Sequence, residues 1–260
     1  MRTVQKRLAA AAIILLFFAL WETSSRLYLV NPAFVPPFSK VARNVWRMAA
    51  HKDLLHHVAL SLFRASLGTA IAAALGIPLG FLASGGCERL RIALGSFMDV
   101  LSQVSPFILF HVLILFMGIG ELPKVTIIAW ACVWPVIFHT ADGMEHIDRL
   151  LLKAGRGFGG GRLALFFKVI LPAVSPKVFA GIRISAGYSL FLLVAAEMMG
   201  GESGLGWLVS NEQRNFQIEN IFSIALVIAL LGVLVDGAMV CIQKLLVPYD
   251  LQEYVNSSQA

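Results

Sequence analysis

The sequence predicts an all-α integral membrane protein with six transmembrane helices. Three observations carry that expectation. Hydrophobic residues make up 58% of the 260 residues and charged ones 14%, against roughly 25% charged in an ordinary soluble domain. Mean hydropathy is +0.79. The apolar residues also fall in runs close to the roughly 20 that a helix needs to cross a bilayer, with the basic residues between the runs.

Taken in order, Arg2, Lys6 and Arg7 precede the apolar run Leu8 to Trp21. "WETSSRLYLV" follows in place of a small-x-small cleavage site, so the expectation is an uncleaved first span from Leu8 to about Val30. Glu22 and Arg26 stand four apart and pair near its outer end. Residues 31–57 are polar, open with three prolines, and after Ser39 read as a short amphipathic helix lying on the membrane surface. Further spans are expected at about Val58–Ala83, Phe97–Met117, Val125–Thr140, Val178–Met199 and Ile221–Val247. The third contains Ser105-Pro106 and the fourth Pro135. Gly76, Pro78, Gly80, Pro106 and Pro135 are candidate bends. Residues 200–219 read as an acidic loop. The organisation is a first helix with its outer amphipathic segment (1–57), a membrane core (58–250) and a cytoplasmic tail (251–260).

Six spans leave both termini on one side. With the N-terminus inside, the inner segments hold Arg2, Lys6, Arg7, Arg89, Arg91, Arg149, Lys153, Arg156, Arg162, Lys168, Lys177 and Lys244. The outer segments hold Lys40, Arg43, Arg47, Lys52, Lys124 and Arg214. That excess of inner cations favours cytoplasmic termini in a bacterial inner membrane, although the first outer loop is itself basic. The same placement accounts for the net charge of +6 without nucleic acid, since no basic face interleaved with stacking aromatics is present. Cys87, Cys132 and Cys241 have no metal spacing and read as small buried hydrophobes. No metal or cofactor site is expected.

The inner segment 141–177 is too long and too patterned for a plain connector. "GRGFGG" has GxGxxG spacing (Gly155, Gly157, Gly160), but it follows a helix-like run, not a strand, which argues against a dinucleotide site. The Walker string is absent. Ile147, Leu150, Leu151, Ala154 and Phe158 instead make one helical stripe flanked by Asp148, Arg149, Lys153 and Arg156. Gly159 to Gly161 end that helix, "LALFFKVILP" begins another, and Pro172 is expected to break or bend the chain before span five. The product is a helix-turn-helix knob suited to a cytoplasmic partner.

At these residues the chain resembles the binding-protein-dependent ABC importer permeases. Their motif, E-A-A-x3-G-x9-I-x-L-P, is matched in spacing by Lys153-Ala154-Gly155, Gly159 and Val169-Ile170-Leu171-Pro172. It departs at Lys153 (for Glu) and Gly155 (for Ala), with Val169 a conservative change. "SLFRASLGTAIAAALGIPLG" (61–80), "FMGIGE" (116–121), "GIRISAG" (181–187) and "AAEMMGGESGLGWLV" (195–209) resemble the taurine, alkanesulfonate and nitrate branch. The resemblance, over roughly residues 31 to 250, implies the type I (MetI-like) importer permease fold. It also implies a second permease subunit as a homodimer, two cytoplasmic ATPase chains carrying ATP and Mg, and an extracytoplasmic solute-binding protein. It implies a coupling helix at about 148–162, with Asp148, Leu151, Lys153, Ala154, Phe158, Gly159, Arg162 and Pro172 at the ATPase contact, and a small solute such as a sulfonate or nitrate. Lys153 reverses the charge of the motif residue it replaces.

Other residues stay open. Glu197, near the outer end of span five, reads either as path-lining or as a hydrogen-bond partner of the glycine-rich loop after it. Ser105, Pro106 and His111 are path candidates on span three; for His111 a satisfied core position is the alternative. Gly181, Ser185 and Ser189 form a small-residue packing seam. Asp236 and Arg64 are both costly in lipid and could pair with one another. "GESG" (201–204) has the GxSG of intramembrane serine hydrolases, but all six histidines precede Ser203. An ATP-independent carrier or channel is the other alternative, with the absence of paired repeats against a carrier.

Overall fold

The computed structural model describes residues 2–51, 54–85, 88–157 and 161–246. Among these every element is helical: α1 (Arg2–Arg26), α2 (Phe38–His51), α3 (Leu54–Ser84), α4 (Glu88–Ser102), α5 (Pro106–Met117), α6 (Glu121–Glu145), α7 (Arg149–Gly157), α8 (Arg162–Leu165), a π-helical turn (Phe166–Ile170), α9 (Leu171–Gly200), α10 (Leu205–Arg214) and α11 (Ile218–Leu246). Four continuous helices are long and apolar enough to cross a membrane: Leu54–Ser84, Glu121–Glu145, Leu163–Gly200 and Ile218–Leu246. Arg91–Ser102 and Pro106–Met117 make a fifth if their 80° bend lies within one span. α1 ends at Arg26, short of Val30, in a turn where Tyr28 adopts φ 57°. Its residues Ile13 to Phe17 and Leu20 are exposed.

The chain forms two compact units, one of residues 61–196 with 232–260 and one of residues 1–60 with 197–231. The first is built around α6. Ile127, Ile128, Ala131, Cys132, Val136 and Ile137 on this helix are all buried. α3 approaches it through glycines. A Cβ added at Gly68 would lie 2.5 Å from Ile128 Cγ2, one at Gly76 would lie 2.9 Å from Val136 Cβ, and one at Gly80 would lie 2.5 Å from Thr140 Cβ. Gly76 and Gly80 are therefore contact points, not bends, and α3 runs unbroken through Pro78. Pro135 likewise sits within a continuous α6. Only Ser105-Pro106 marks a true break.

α9 meets α6 through the expected seam. Gly181 sits against Pro135, Val136 and His139. The Ser185 hydroxyl donates to Cys132 O at 2.7 Å, and Cys132 Sγ donates back to Ser185 O at 3.3 Å. Between helices in lipid there is little hydrophobic driving force, so close backbone approach and such hydrogen bonds supply the attraction. Nearer the C-terminal end of α6, Gly143 packs on Val174 and Lys177, a contact that no sequence pattern announced.

The second unit is held differently. On α2, Val41, Asn44 and Met48 point inward. Met48 joins Leu54, Leu205, Leu208 and Ile224 in one cluster. Asn44 Nδ2 donates to Asn220 Oδ1 (2.8 Å) and Ser223 Oγ (2.9 Å), and Asn220 Nδ2 donates to Glu212 Oε2 (2.6 Å). The expected surface helix thus turns its apolar stripe to protein, not lipid; a 3.6-residue period is the same for either neighbour. The predicted Glu22–Arg26 pair forms at 2.6 Å. Glu22 Oε2 also accepts the Ser39 amide at 2.9 Å, capping α2. The stretch read as an acidic loop contains a helix, α10, that starts after Gly204.

Candidate functional site

Within the segment 148–162 expected to form a knob, the structure describes α7 and, at Arg162, the start of α8. Asp148 caps α7, its Oδ1 accepting the Leu150 amide at 2.7 Å. A Cβ at Gly155 would lie 2.6 Å from Leu165 Cδ1 and 3.2 Å from Val169 Cγ2, so α7 lies close against α8 and the π turn. That contact gives a physical reason for glycine where the motif has alanine. Leu150 is 71% exposed and Leu151 50%, and Lys153 and Ala154 are exposed as well. Three residues of the stripe read from the sequence, Leu150, Leu151 and Ala154, are therefore turned away from the rest of this chain, and Ile147 is half-buried. Arg162 opens α8. Phe158 and Gly159 lie outside the described residues.

Pro172 does not break the chain. Residues Leu163–Gly200 form one long helix, with Pro172 its tenth residue. Proline lacks an N–H and its ring crowds the carbonyl four residues back, here Lys168. The π turn just upstream widens the helix at that point, with the Leu171 amide donating to Phe166 O. Ion pairs surround the base of the knob: Lys177 to Asp142 at 2.6 Å and Arg91 to Glu145 at 3.0 Å.

The path candidates separate. Ser105 and Pro106 form the start of α5, where Ser105 is the N-cap without a side-chain cap bond. His111, one turn further on, is exposed and hydrogen-bonds Phe107 O through Nδ1 at 2.9 Å, so it is not a core histidine. Glu197 belongs to the other unit and is fully buried. Its Oε2 accepts the Gly206 amide at 2.9 Å in the first turn of α10, the loop partnership weighed above. Gly204, at φ +110°, lies so close that any Cβ would overlap the carboxylate. His57 Nδ1 accepts the Gly204 amide at 3.0 Å and its ring lies 5.4 Å from Trp207. Sequence spacing could not show that a histidine nearly 150 residues away holds this loop.

Arg64 and Asp236 do not pair. Arg64, buried, reaches Glu121 with Nη2 at 2.7 Å, and Lys124, also buried, reaches the same carboxylate at 3.2 Å. Lys124, expected in a loop, is in the first turn of α6. Asp236 receives Arg183: Nε to Oδ1 at 2.6 Å and Nη2 to Oδ2 at 2.8 Å. The sequence supplied the five charges but not their pairing.

A cavity of about 680 Å³ lies among α3, α4 and α6, lined by Leu75, Leu79, Phe97, Met98, Trp130 and Trp134 among others. Apart from Thr126 and the two indoles its walls carry no polar side chain. A small charged solute would lose its hydration there without replacement, so this cavity suits an acyl chain and not a polar cargo.

The family described as "Binding-protein-dependent transport system inner membrane component" matches residues 76–248. The putative aliphatic sulfonates transport permease protein SsuC of Bacillus subtilis is 28% identical over 94% of this chain and 87% of its own length. The taurine transport system permease protein TauC of Escherichia coli is 27% identical over 95% and 90%. The nitrate import permease protein NrtB of Synechocystis is 27% identical over 76% and 71%. Among solved structures, the inward-facing MetNI methionine ABC transporter superposes with a TM-score of 0.67 at 16% identity, covering 74% of this chain and 94% of that one. At that identity the likeness speaks for the fold alone.

Proposed function

The chain belongs to the binding-protein-dependent transport permeases of the inner membrane, and from that premise we propose that it is one of two identical subunits forming the path of an ATP-driven importer for a small oxyanion. It is a multi-pass transport subunit and catalyses no reaction. The family implies a separate ATPase and a binding protein. The finer reading has six spans, α1 among them, with both termini in the cytoplasm. α7 and the start of α8 are the element that docks in the ATPase.

One observation carries the docking assignment. Leu150 and Leu151 are exposed on a short capped helix that Gly155 clamps against α8. Exposed leucines on a rigid, basic projection suit a partner's cleft. Lys153 and Ala154 lie on that same projection. The substrate class rests on the relatives, whose names specify aliphatic sulfonates, taurine and nitrate.

Purification tests the reading. The chain is expected to co-purify with an ATPase and, reconstituted with its binding protein, to accumulate taurine or nitrate only when ATP is supplied. Leu151→Asp should abolish ATPase co-purification while leaving membrane insertion intact. Uptake without ATP would establish the carrier alternative.

A further inference from the structure

The Arg183–Asp236 pair joins two helices that are long and apolar enough to cross a membrane. Arg183 is six residues beyond Lys177 on α9, and Asp236 is eight residues before Lys244 on α11. At about 1.5 Å per residue this puts them roughly 9 and 12 Å along their helices from those lysines. Yet the two side chains are 41% and 52% exposed. Ionisable groups within spans face a bundle interior or a water-filled cavity, because hydrocarbon offers them nothing. Nε and Nη2 of Arg183 both donate to Asp236, one to each carboxylate oxygen. Gly187, Gly232 and Gly237, beside the pair, have no neighbour within 4 Å of an added Cβ, which leaves the approach to it open.

We propose that this face lines the aqueous solute path and that Arg183 is the contact for the oxygens of the transported anion, with Asp236 occupying its fork between turnovers. The guanidinium presents two parallel N–H donors to a carboxylate here, and the same fork fits two oxygens of a sulfonate or nitrate. Exchange of one anion for another keeps the cation compensated throughout, so the solute need not overcome an unpaired charge. The proposal rests on the oxyanion reading above for its ligand, but its claim of water access does not.

The test uses the complete transporter in proteoliposomes, with Cys87, Cys132 and Cys241 replaced by serine. Cysteines introduced by Gly187→Cys and Gly232→Cys are exposed to a membrane-impermeant methanethiosulfonate, with Ile14→Cys as a lipid-facing control. Labelling at the first two positions, absent from the control and slowed by taurine or nitrate during turnover, is the expected result. Arg183→Gln should lower uptake of both anions about tenfold or more. The exchanged pair Arg183→Asp/Asp236→Arg should restore assembly and ATPase activity without restoring uptake, because a merely structural pair would be rescued in full. Labelling from lipid only, or disulfide formation between two copies at Gly232→Cys without aqueous labelling, would overturn the proposal. So would full uptake in Arg183→Gln or full rescue by the exchange. ATP-independent uptake with labelling and protection intact would remove the importer reading and leave this one standing.

Discussion

The two units solve the same problem by different means. Around α6, helices approach until glycine is the only residue that fits, and polar contacts between helices join two or three residues at a time, such as the reciprocal Ser185–Cys132 pair and the Arg183–Asp236 ion pair. In the unit formed by α1, α2, α10 and the first half of α11, buried side chains of Asn44, Asn220, Ser223 and Glu212 bridge elements nearly 180 residues apart in sequence. The difference follows from the available partners. Long apolar helices carry few side-chain hydrogen-bonding groups to spend on one another, so backbone proximity and dispersion hold most of their contact. The short helices carry polar side chains on their inner faces, and each must find a partner once buried.

Substitutions should separate the two regimes. Gly80→Leu should have the largest effect, about 3 kcal/mol or more, because its Cβ position already overlaps Thr140 and lies 2.9 Å from the Ile137 carbonyl. Thermal unfolding in detergent reads this as loss of the folded fraction, and a wild-type melt would mean that α3 does not rest on α6. Gly204→Ala should follow at about 2–3 kcal/mol, combining an unfavourable positive φ with collision against Glu197. If instead it melts like wild type, the Glu197 carboxylate is not where it caps α10. Asn44→Leu should cost about 2 kcal/mol by leaving Asn220 and Ser223 short of a donor, and the double variant Asn44→Leu/Asn220→Leu should recover part of that. No recovery would make the network dispensable. Ser185→Ala should be the mildest, at about 1 kcal/mol, since glycine-mediated packing at Gly181 remains. A loss there as large as at Gly80 would erase the distinction between packing and hydrogen bonding.

Much of this was legible in the sequence. The helical class, the positions of four long apolar helices, the break at Ser105-Pro106, the Glu22–Arg26 pair, the α9 seam and the helices on either side of residues 158–160 all follow from spacing and hydropathy. The misreadings have a common origin. Gly76 and Gly80 looked like bends, Pro172 like a break or bend, and α2 like an amphipathic helix lying on the membrane surface. Each reading used a residue's local preference, and each was settled by a neighbour from elsewhere in the chain: α6 against the glycines, and the α10–α11 cluster against α2. For Pro172 a widened turn absorbed the clash that would otherwise have ended the helix.

What the sequence by itself determined is which stretches prefer water and which do not, because hydropathy and helical period are properties of consecutive residues. Tertiary structure alone decided the partners: that Arg64 meets Glu121 and not Asp236, that Asp236 meets Arg183, and that His57 holds Gly204. A buried charge or amide needs some counterpart, and its own sequence neighbourhood states that need. Which counterpart answers depends on helix faces that come together only when the chain is packed.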